Sequence, residues 1–345
     1  MSAARRPILP VILALGLAVA LAFLVSDYRL FQLTMVLAYA IAILGLDMLI
    51  GYTGQISLGH GAFYAVGAYT AAILMANFDV PYWATLPIAA LICAGFGFAF
   101  GFPALRLGGL YLALATFALA IAVPQLLKYK AFEAWTGGVQ GIVISKPDPP
   151  FGLKLSQDQW LYLFTLMVTV VLFLLARNLL RGRIGLAMRA VRDHALAAEA
   201  MGVDIALLKT RTFALSAMYT GIAGALGAIA VQFVAPDSFS VLVSITLFVG
   251  LVVGGITSLA GAVFGAIFIV FLPNIAENIS KAAPGAIYGV ILIAFLYLLP
   301  MGFAGLRRRV ARPGATAQPP AQALTPSPGT PSPGKSAAEI RIKSG

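Results

Sequence analysis

The sequence predicts an all-α integral membrane protein with about ten transmembrane helices. Of its 345 residues, 61% are hydrophobic and only 10% are charged, whereas soluble domains carry about 25% charged residues. Its mean hydropathy is +0.95. The apolar residues also fall into separate runs of about 17–25 residues, the length that a helix needs to cross a bilayer.

Ten apolar runs follow one another along the chain. They cover residues 8–25, 29–50, 59–77, 83–105, 109–127, 159–179, 211–233, 241–256, 258–278 and 285–300. The first run follows two arginines, but it is too long for a signal peptide and lacks a small-residue cleavage site. Two copies of five helices would have to be inverted relative to each other, because five crossings reverse the chain direction. No clear sequence repeat marks such halves.

The charge distribution predicts that both termini are cytoplasmic. With that orientation, 17 of the 23 basic residues lie on the inner side of the membrane, as the positive-inside rule requires. Trp83, Trp135 and Trp160 then fall at or beyond the outer ends of helices, which suits an interfacial aromatic belt. The net charge of +11 therefore reflects topology rather than nucleic-acid binding.

Domain organisation follows from these runs. We expect a transmembrane domain over 1–310, with a cytoplasmic loop at 181–210 and a periplasmic loop at 128–158. Residues 311–345 are rich in Pro, Ala and Ser, which predicts a disordered cytoplasmic tail. The tail contains GTPSPGKS (329–336), which matches a phosphate-binding loop. No strand precedes it and its prolines remove backbone N–H groups, so we expect no ATP site there.

Chemical sites other than a solute path are not indicated. Cys93 is the single cysteine and lies in an apolar run, while His60 and His194 are far apart in sequence. These residues predict neither a disulfide nor a metal site, and no set of catalytic side chains is visible.

Glycines and polar residues interrupt the apolar pattern at 51–64. Irregular backbone at membrane depth is tolerated where it lines a cavity or is buried in protein, so this segment predicts a broken helix along a solute path. An ordinary cytoplasmic turn is the alternative. The candidate path residues, including an upstream carboxylate, are Asp47, Thr53, Gln55, Ser57, Gly59, His60, Gly61 and Tyr64.

The predicted inner loop contains a short helix-forming stretch. Asp193 is placed to cap it, alanines propagate it and Gly202 is placed to end it in a left-handed conformation. A helix of about two turns is marginal alone in water, so we expect it to dock against a partner. A solvated connector is the alternative.

Five motifs in order resemble the permease family of bacterial branched-chain amino acid ABC importers. Two of them, GLYLALAT and TGGVQGI, resemble the M-type of the two sister permeases. The motifs are GYTGQISLGHGAFYAVGAYT (51–70), GGLYLALATFALA (108–120), TGGVQGI (136–142), the segment from GRIGLAMRAV to TGIAGAL (182–226) and VGGITSLAGAVFGAIF (253–268).

The resemblance implies a transport subunit of the bacterial inner membrane that is not itself an enzyme. Its partners would be a sister permease, two cytoplasmic ATP-binding subunits that hydrolyse ATP, a periplasmic solute-binding protein and membrane lipid. Neither a cofactor nor nucleic acid is implied. From the resemblance we expect a neutral Asn at the position where this chain has Asp47. The candidate residues for coupling to an ATP-binding subunit are Arg189, Arg192, Asp193, Glu199, Ala200 and Gly202.

Two other functions stay open from the sequence. Importers of urea and short amides use similar permeases. An ion-coupled secondary transporter would need several ionisable groups near the bilayer midplane, and only Asp47 is placed well inside an apolar run.

Overall fold

The structure, a computed structural model, describes residues 8–104, 109–152, 154–279, 281, 283–298, 302, 303 and 305. The predicted tail at 311–345, with its GTPSPGKS sequence, lies outside these residues. The helices described below belong to one unit, Met1–Arg307.

Helices account for most of the described residues. In chain order they are α1 (Ile8–Leu24), α2 (Asp27–Thr53), α3 (His60–Phe78), α4 (Tyr82–Ala104), α5 (Leu110–Leu127), α6 (Glu133–Thr136), α7 (Gln157–Arg181), α8 (Arg183–Asp193), α9 (Ala195–Ala200), α10 (Ile205–Val231), α11 (Val241–Gly254), α12 (Leu259–Ile279) and α13 (Pro284–Leu298). Two short strands, β1 (Ile142–Val143) and β2 (Phe233–Val234), form an antiparallel pair.

Seven helices in the described part of the chain are long and apolar enough to cross a membrane. They are α2, α3, α4, α5, α7, α10 and α12. Helices α1, α11 and α13 are apolar but shorter, and each falls within one of the remaining predicted runs. The prediction of an all-α membrane protein is therefore confirmed, whereas the count of ten spans stays a prediction.

Helix α10 lies at the centre of the bundle, packed against α2, α3 and α4. Gly67 of α3 faces Gly221 of α10, and a Cβ atom on Gly67 would collide with the Gly221 carbonyl group. Gly224 lies equally close to the backbone of Tyr64. Without side chains between them the two backbones approach closely, which is how small residues stabilise helix pairs in membrane proteins.

The connections between the long helices gather at two ends of the bundle. At one end, which we name the outer end, Ser156 Oγ donates to the Asp27 carboxylate over 2.9 Å. Trp160 Nε1 donates to the Tyr82 hydroxyl over 2.9 Å at the same end. The other end, named the inner end, carries the loop at 182–204.

The predicted outer loop at 128–158 contains ordered structure that the sequence analysis did not anticipate. Ile142 pairs with Val234 and Val143 with Phe233, which ties this loop to the segment after α10. Gly141 has a φ of +75°, and a Cβ atom there would collide with the Val234 carbonyl oxygen. The glycines of TGGVQGI therefore serve a tight turn pressed against β2.

Candidate functional site

The predicted break between α2 and α3 is present at residues 54–59. Helix α2 ends at Thr53 and is followed by Gly54 with a φ of +70°. The Gly54 N–H donates to the Ile50 carbonyl over 3.1 Å, and the Gln55 N–H donates to the Leu49 carbonyl over 3.3 Å. These bonds satisfy carbonyls at the helix end, as a left-handed glycine cap does in many proteins.

His60 joins this break to the centre of the bundle. Its Nε2 lies 2.7 Å from Ser216 Oγ, and its Nδ1 lies 3.2 Å from Ser57 Oγ. The Ser216 hydroxyl donates its single hydrogen to the Gly45 carbonyl over 2.6 Å. The pattern therefore assigns a neutral imidazole in which Nε2 donates to Ser216 and Nδ1 accepts from Ser57. One buried chain of hydrogen bonds thus links α2, the break, α3 and α10.

The polar side chains at the start of the break also bond within the chain. Thr53 Oγ1 donates to the Leu49 carbonyl over 2.7 Å, and Gln55 Nε2 donates to Thr53 Oγ1 over 2.9 Å. Gln55 Nε2 also reaches the Lys209 carbonyl at 3.4 Å. Gln55 and Ser57 are only 6% and 1% exposed. The candidate path residues are therefore turned into the protein, so the chain is closed at this point.

Gly59 and Gly61 lie at helix contacts, not beside an open channel. The Leu58 N–H donates to Thr116 Oγ1 of α5 over 2.9 Å, and Gly59 lies against the Thr116 backbone. The Gly61 N–H donates to Ser244 Oγ of α11 over 2.8 Å. The first turns of α3 and α11 therefore meet directly.

Gly61→Ala is expected to destabilise this meeting point. The new Cβ atom would lie 2.6 Å from Ser244 Oγ and 3.1 Å from the Ser244 nitrogen, so α3 and α11 would have to separate. Overpacking of this kind typically costs about 1–3 kcal/mol. Thermal unfolding of the purified chain in detergent measures the effect. Gly95→Ala in α4 is the control, because nothing lies within 4 Å of the added atom; equal melting temperatures for the two variants would contradict the prediction.

Tyr64, the last candidate path residue, belongs to an aromatic cluster beside the α2–α3 break. Its ring stacks on Tyr39 with centroids 5.8 Å apart and lies 6.1 Å from the ring of Phe239. Phe239 also contacts Tyr69. Phe239 lies two residues before α11 begins. The cluster therefore packs the segment that leads into α11 against α3.

Asp47 is buried and connects α2 to the turn between α11 and α12. Its Oδ1 atom accepts the Thr257 N–H over 2.7 Å, and the residue is 1% exposed. Its Oδ2 atom has no hydrogen-bond partner among the described residues. Thr257 has a φ of +64°, an uncommon conformation for a β-branched residue, and its carbonyl accepts from the Tyr52 hydroxyl over 3.4 Å. Asp47 therefore holds a strained turn against the end of α2.

The inner loop forms two helices, α8 and α9, and corrects one prediction. Asp193 does not cap α9: it is the last residue of α8, and its carboxylate accepts from Arg192 Nε over 2.9 Å. His194 precedes α9 and makes no side-chain capping bond. Helix α8 continues through Asp193, so His194 and not Asp193 takes the position before α9.

Gly202 adopts the predicted left-handed conformation, with a φ of +86°. Its N–H donates to the Glu199 carbonyl over 2.8 Å and closes the turn after α9. Glu199 and Gly202 line one side of a groove of about 490 Å³, which continues along the first turn of α10.

Helix α9 presents apolar side chains to the outside of the chain. Leu196 is 83% exposed and Met201 is 85% exposed, while Ala198 packs inward. Glu199 and Ala200 are exposed beside them. A contiguous exposed apolar patch is typical of a protein–protein contact.

Arg192 connects this loop to the broken helix. Its Nη1 atom donates to the Gly51 carbonyl over 2.6 Å, in the last turn of α2. Carbonyls at a helix end lack helical partners, so a guanidinium is well suited to bind there. Gly51 also lies against Asp47 and Thr257. Arg189, in contrast, donates to the Gly185 carbonyl over 3.1 Å, within α8.

Comparison with known proteins places these features in a family. The model of the permease component of branched-chain amino acid transport systems matches residues 28–299. The high-affinity branched-chain amino acid transport system permease protein LivM of Salmonella typhimurium is 32% identical over 314 residues, covering 83% of this chain and 73% of LivM. LivM of Escherichia coli K12 gives the same identity and coverage. The chain belongs to the branched-chain amino acid transport permease family.

This permease is also similar to LivH proteins, at lower identity. The probable branched-chain amino acid transport permease protein LivH of Methanocaldococcus jannaschii is 25% identical over 280 residues, covering 76% of this chain and 87% of that relative. The higher identity to LivM agrees with the M-type resemblance. No solved structure matches the permease significantly.

The family match includes every candidate site residue of the permease. It begins in the first turn of α2 and extends to the end of α13, so α1 and the tail lie outside it. Several residues of the site were missed by the sequence analysis, namely Ser216, Ser244 and Thr257. Each is a Ser or Thr within or beside an apolar run, and that was the only signal available.

Proposed function

We propose that this permease is a transmembrane subunit of an ATP-driven importer of branched-chain amino acids in the bacterial inner membrane. The observation that most directly supports the proposal is the hydrogen bond from Arg192 to the Gly51 carbonyl. It joins the exposed loop around α9 to the end of α2. An importer driven by separate ATP-binding subunits needs such a connection, since a partner shifts a conformational equilibrium only through contacts that differ between its two states. The similarity to LivM proteins of high-affinity branched-chain amino acid transport systems favours these amino acids as the solute.

The proposed topology has ten spans, two inverted halves of five helices and both termini in the cytoplasm. Helices α2 and α10 support the halves: each has 27 residues and is followed by a left-handed residue, Gly54 or Gln232, and then by a non-helical segment. The helices that come next, α3 and α11, meet at their first turns. Discontinuous helices whose second segments meet near the middle of the bundle are a recurrent feature of inverted-repeat transporters.

The proposed domains keep the predicted bounds. Residues 1–310 form the transmembrane domain, with a periplasmic loop at 128–158 and a cytoplasmic coupling loop at 181–210, and 311–345 form the tail. Contacts between Ser156 and Asp27 at the outer end, and between Arg192 and Gly51 at the inner end, support this division of the loops.

In the proposed mechanism the solute passes beside the α2–α3 break when the break opens. Asp47, Thr53, Gln55, Ser57, Gly59, His60, Gly61 and Tyr64 are buried in the closed state and become accessible as α3 and α11 separate. A sister permease completes the path, and a periplasmic solute-binding protein delivers the solute at the outer end.

The proposed docking element for an ATP-binding subunit is α9 with the turn that follows. Leu196 and Met201 supply apolar contact, while Glu199, Ala200 and Gly202 shape the adjoining groove. Arg189 remains available for an acidic group of that subunit. Arg192 and Asp193, which bond to each other, belong to the link with α2.

Reconstitution of the permease with its partner subunits in proteoliposomes tests this function. We expect uptake of labelled leucine, isoleucine and valine. This uptake should require ATP on the side of the membrane where the ATP-binding subunits lie. Excess urea or acetamide should not compete, which separates amino acid transport from amide transport. Uptake that persists without ATP and stops when ionophores collapse ion gradients would instead establish a secondary transporter.

A further inference from the structure

A cleft at the outer end lies between the end of α1, the start of α2 and the end of α12. Its volume of about 710 Å³ is within the range of small-molecule sites. The cleft is remote in sequence from the α2–α3 break and from the coupling loop. Its lining consists of Leu21, Val25, Tyr28, Arg29, Gln32, Leu33, Phe271, Asn274, Ile275, Glu277 and Asn278.

The lining changes from polar to apolar along the helices. Helix α2 enters the bundle from the outer end, so Arg29 lies nearer that end than Leu33 does. Helix α12 runs toward the outer end, so Glu277 lies nearer that end than Phe271 does. The two charged residues of the cleft therefore lie at its rim, and Leu33 and Phe271 lie deeper, which matches the headgroup and the acyl chains of a phospholipid.

Two opposite charges stand unpaired on the rim. Neither Arg29 nor Glu277 makes an ion pair within the described parts of the chain, and each is exposed. A guanidinium binds phosphate through a planar pair of donors. The Glu277 carboxylate in the same cleft would repel a purely anionic ligand but would bind an ammonium group. The charge pattern therefore fits a zwitterion that carries both a phosphate and an ammonium group.

We propose that this cleft binds one zwitterionic phospholipid that has a primary-amine headgroup. Arg29 binds the phosphate, Glu277 binds the ammonium, and the acyl chains lie along Leu33 and Phe271. The outward face of α1 supports a lipid as the occupant, because Leu17, Phe23 and other large apolar residues there are more than half exposed.

Native mass spectrometry of the assembled transporter, purified from nanodiscs of phosphatidylethanolamine and phosphatidylglycerol, tests the proposal. The wild-type chain should retain about one more phosphatidylethanolamine than Arg29→Gln or Glu277→Gln. Glu277→Lys should shift retention toward anionic phosphatidylglycerol, because the rim then carries two cations. Lys130→Gln is the control, since Lys130 is an exposed basic residue near the same end but outside the cleft.

Two results would overturn the proposal. One is equal retention of phosphatidylethanolamine by the wild type and both neutral variants. The other is binding of labelled leucine to the lipid-depleted transporter that depends on Arg29, because an amino acid is also a zwitterion and the cleft would then be a solute site. Neither result depends on uptake, so failure here is distinguishable from failure of the importer assignment.

Discussion

Arg192→Gln is expected to reduce solute uptake by roughly 5- to 150-fold while the ATP-binding subunits still assemble and hydrolyse ATP. The substitution removes the 2.6 Å bond from Nη1 to the Gly51 carbonyl but leaves the exposed surface of α9 intact. Loss of one coupling contact worth about 1–3 kcal/mol corresponds to roughly a 5–150-fold change in a linked equilibrium. Uptake and ATP hydrolysis are measured in the same proteoliposomes.

The physical reason lies in what Gly51 touches. Gly51 packs against Asp47 and against Thr257, so the last turn of α2 contacts the turn between α11 and α12. In the proposed mechanism a displacement of α8 reaches the end of α2 through this guanidinium, and from there the turn between α11 and α12. In the proposed mechanism, loss of this bond weakens the transmission of loop movement to α2, so ATP is hydrolysed with little transport.

Arg183→Gln is the matched control. Arg183 lies on the same helix, α8, and is exposed, but it does not contact α2 through any bond that the structure describes. Uptake by this variant should remain near the wild-type level. If Arg192→Gln transported normally, or if it lost its ATP-binding subunits, Arg192 would not be the link between the loop and the broken helix.

The fold class could be predicted because it depends on local composition. Apolar runs predicted each long helix, and the break after Thr53 was visible as the glycines and polar residues of 51–61. Gly202 was also predicted correctly, because a left-handed turn after a short helix favours glycine at that position. These features need only neighbouring residues.

The contacts that the sequence did not predict join residues far apart in the chain. Arg192 bonds to Gly51 and Asp47 bonds to Thr257, across 141 and 210 positions. The spacing of a single sequence carries no information on such pairs. The error at Asp193 has another cause: propensity favours an Asp at a helix start, but α8 continues through Asp193 and His194 takes the position before α9.

The role assigned to Asp47 depends on its hydrogen bond with the Thr257 N–H and not on its charge. Two substitutions distinguish the hydrogen bond from the charge. Asp47→Asn keeps an oxygen that accepts the Thr257 N–H, so we expect uptake and melting temperature near the wild-type values. Asp47→Ala leaves that donor without its partner beside a residue with a φ of +64°. A buried donor without a partner costs about 1–3 kcal/mol, so the turn should rearrange and uptake should fall severely.

The same pair of variants discriminates between the two classes of transporter. An ion-coupled carrier would use Asp47 as its ionisable group, and replacement by a neutral Asn would abolish accumulation of the solute. An importer driven by ATP needs only the acceptor oxygen, so Asp47→Asn should accumulate leucine while Asp47→Ala does not. Initial uptake rates, normalised to the amount of folded transporter, give the comparison. Equal loss in both variants would show that the charge itself is required, and Asp47 would then belong to the coupling of an ion and not to the anchoring of Thr257.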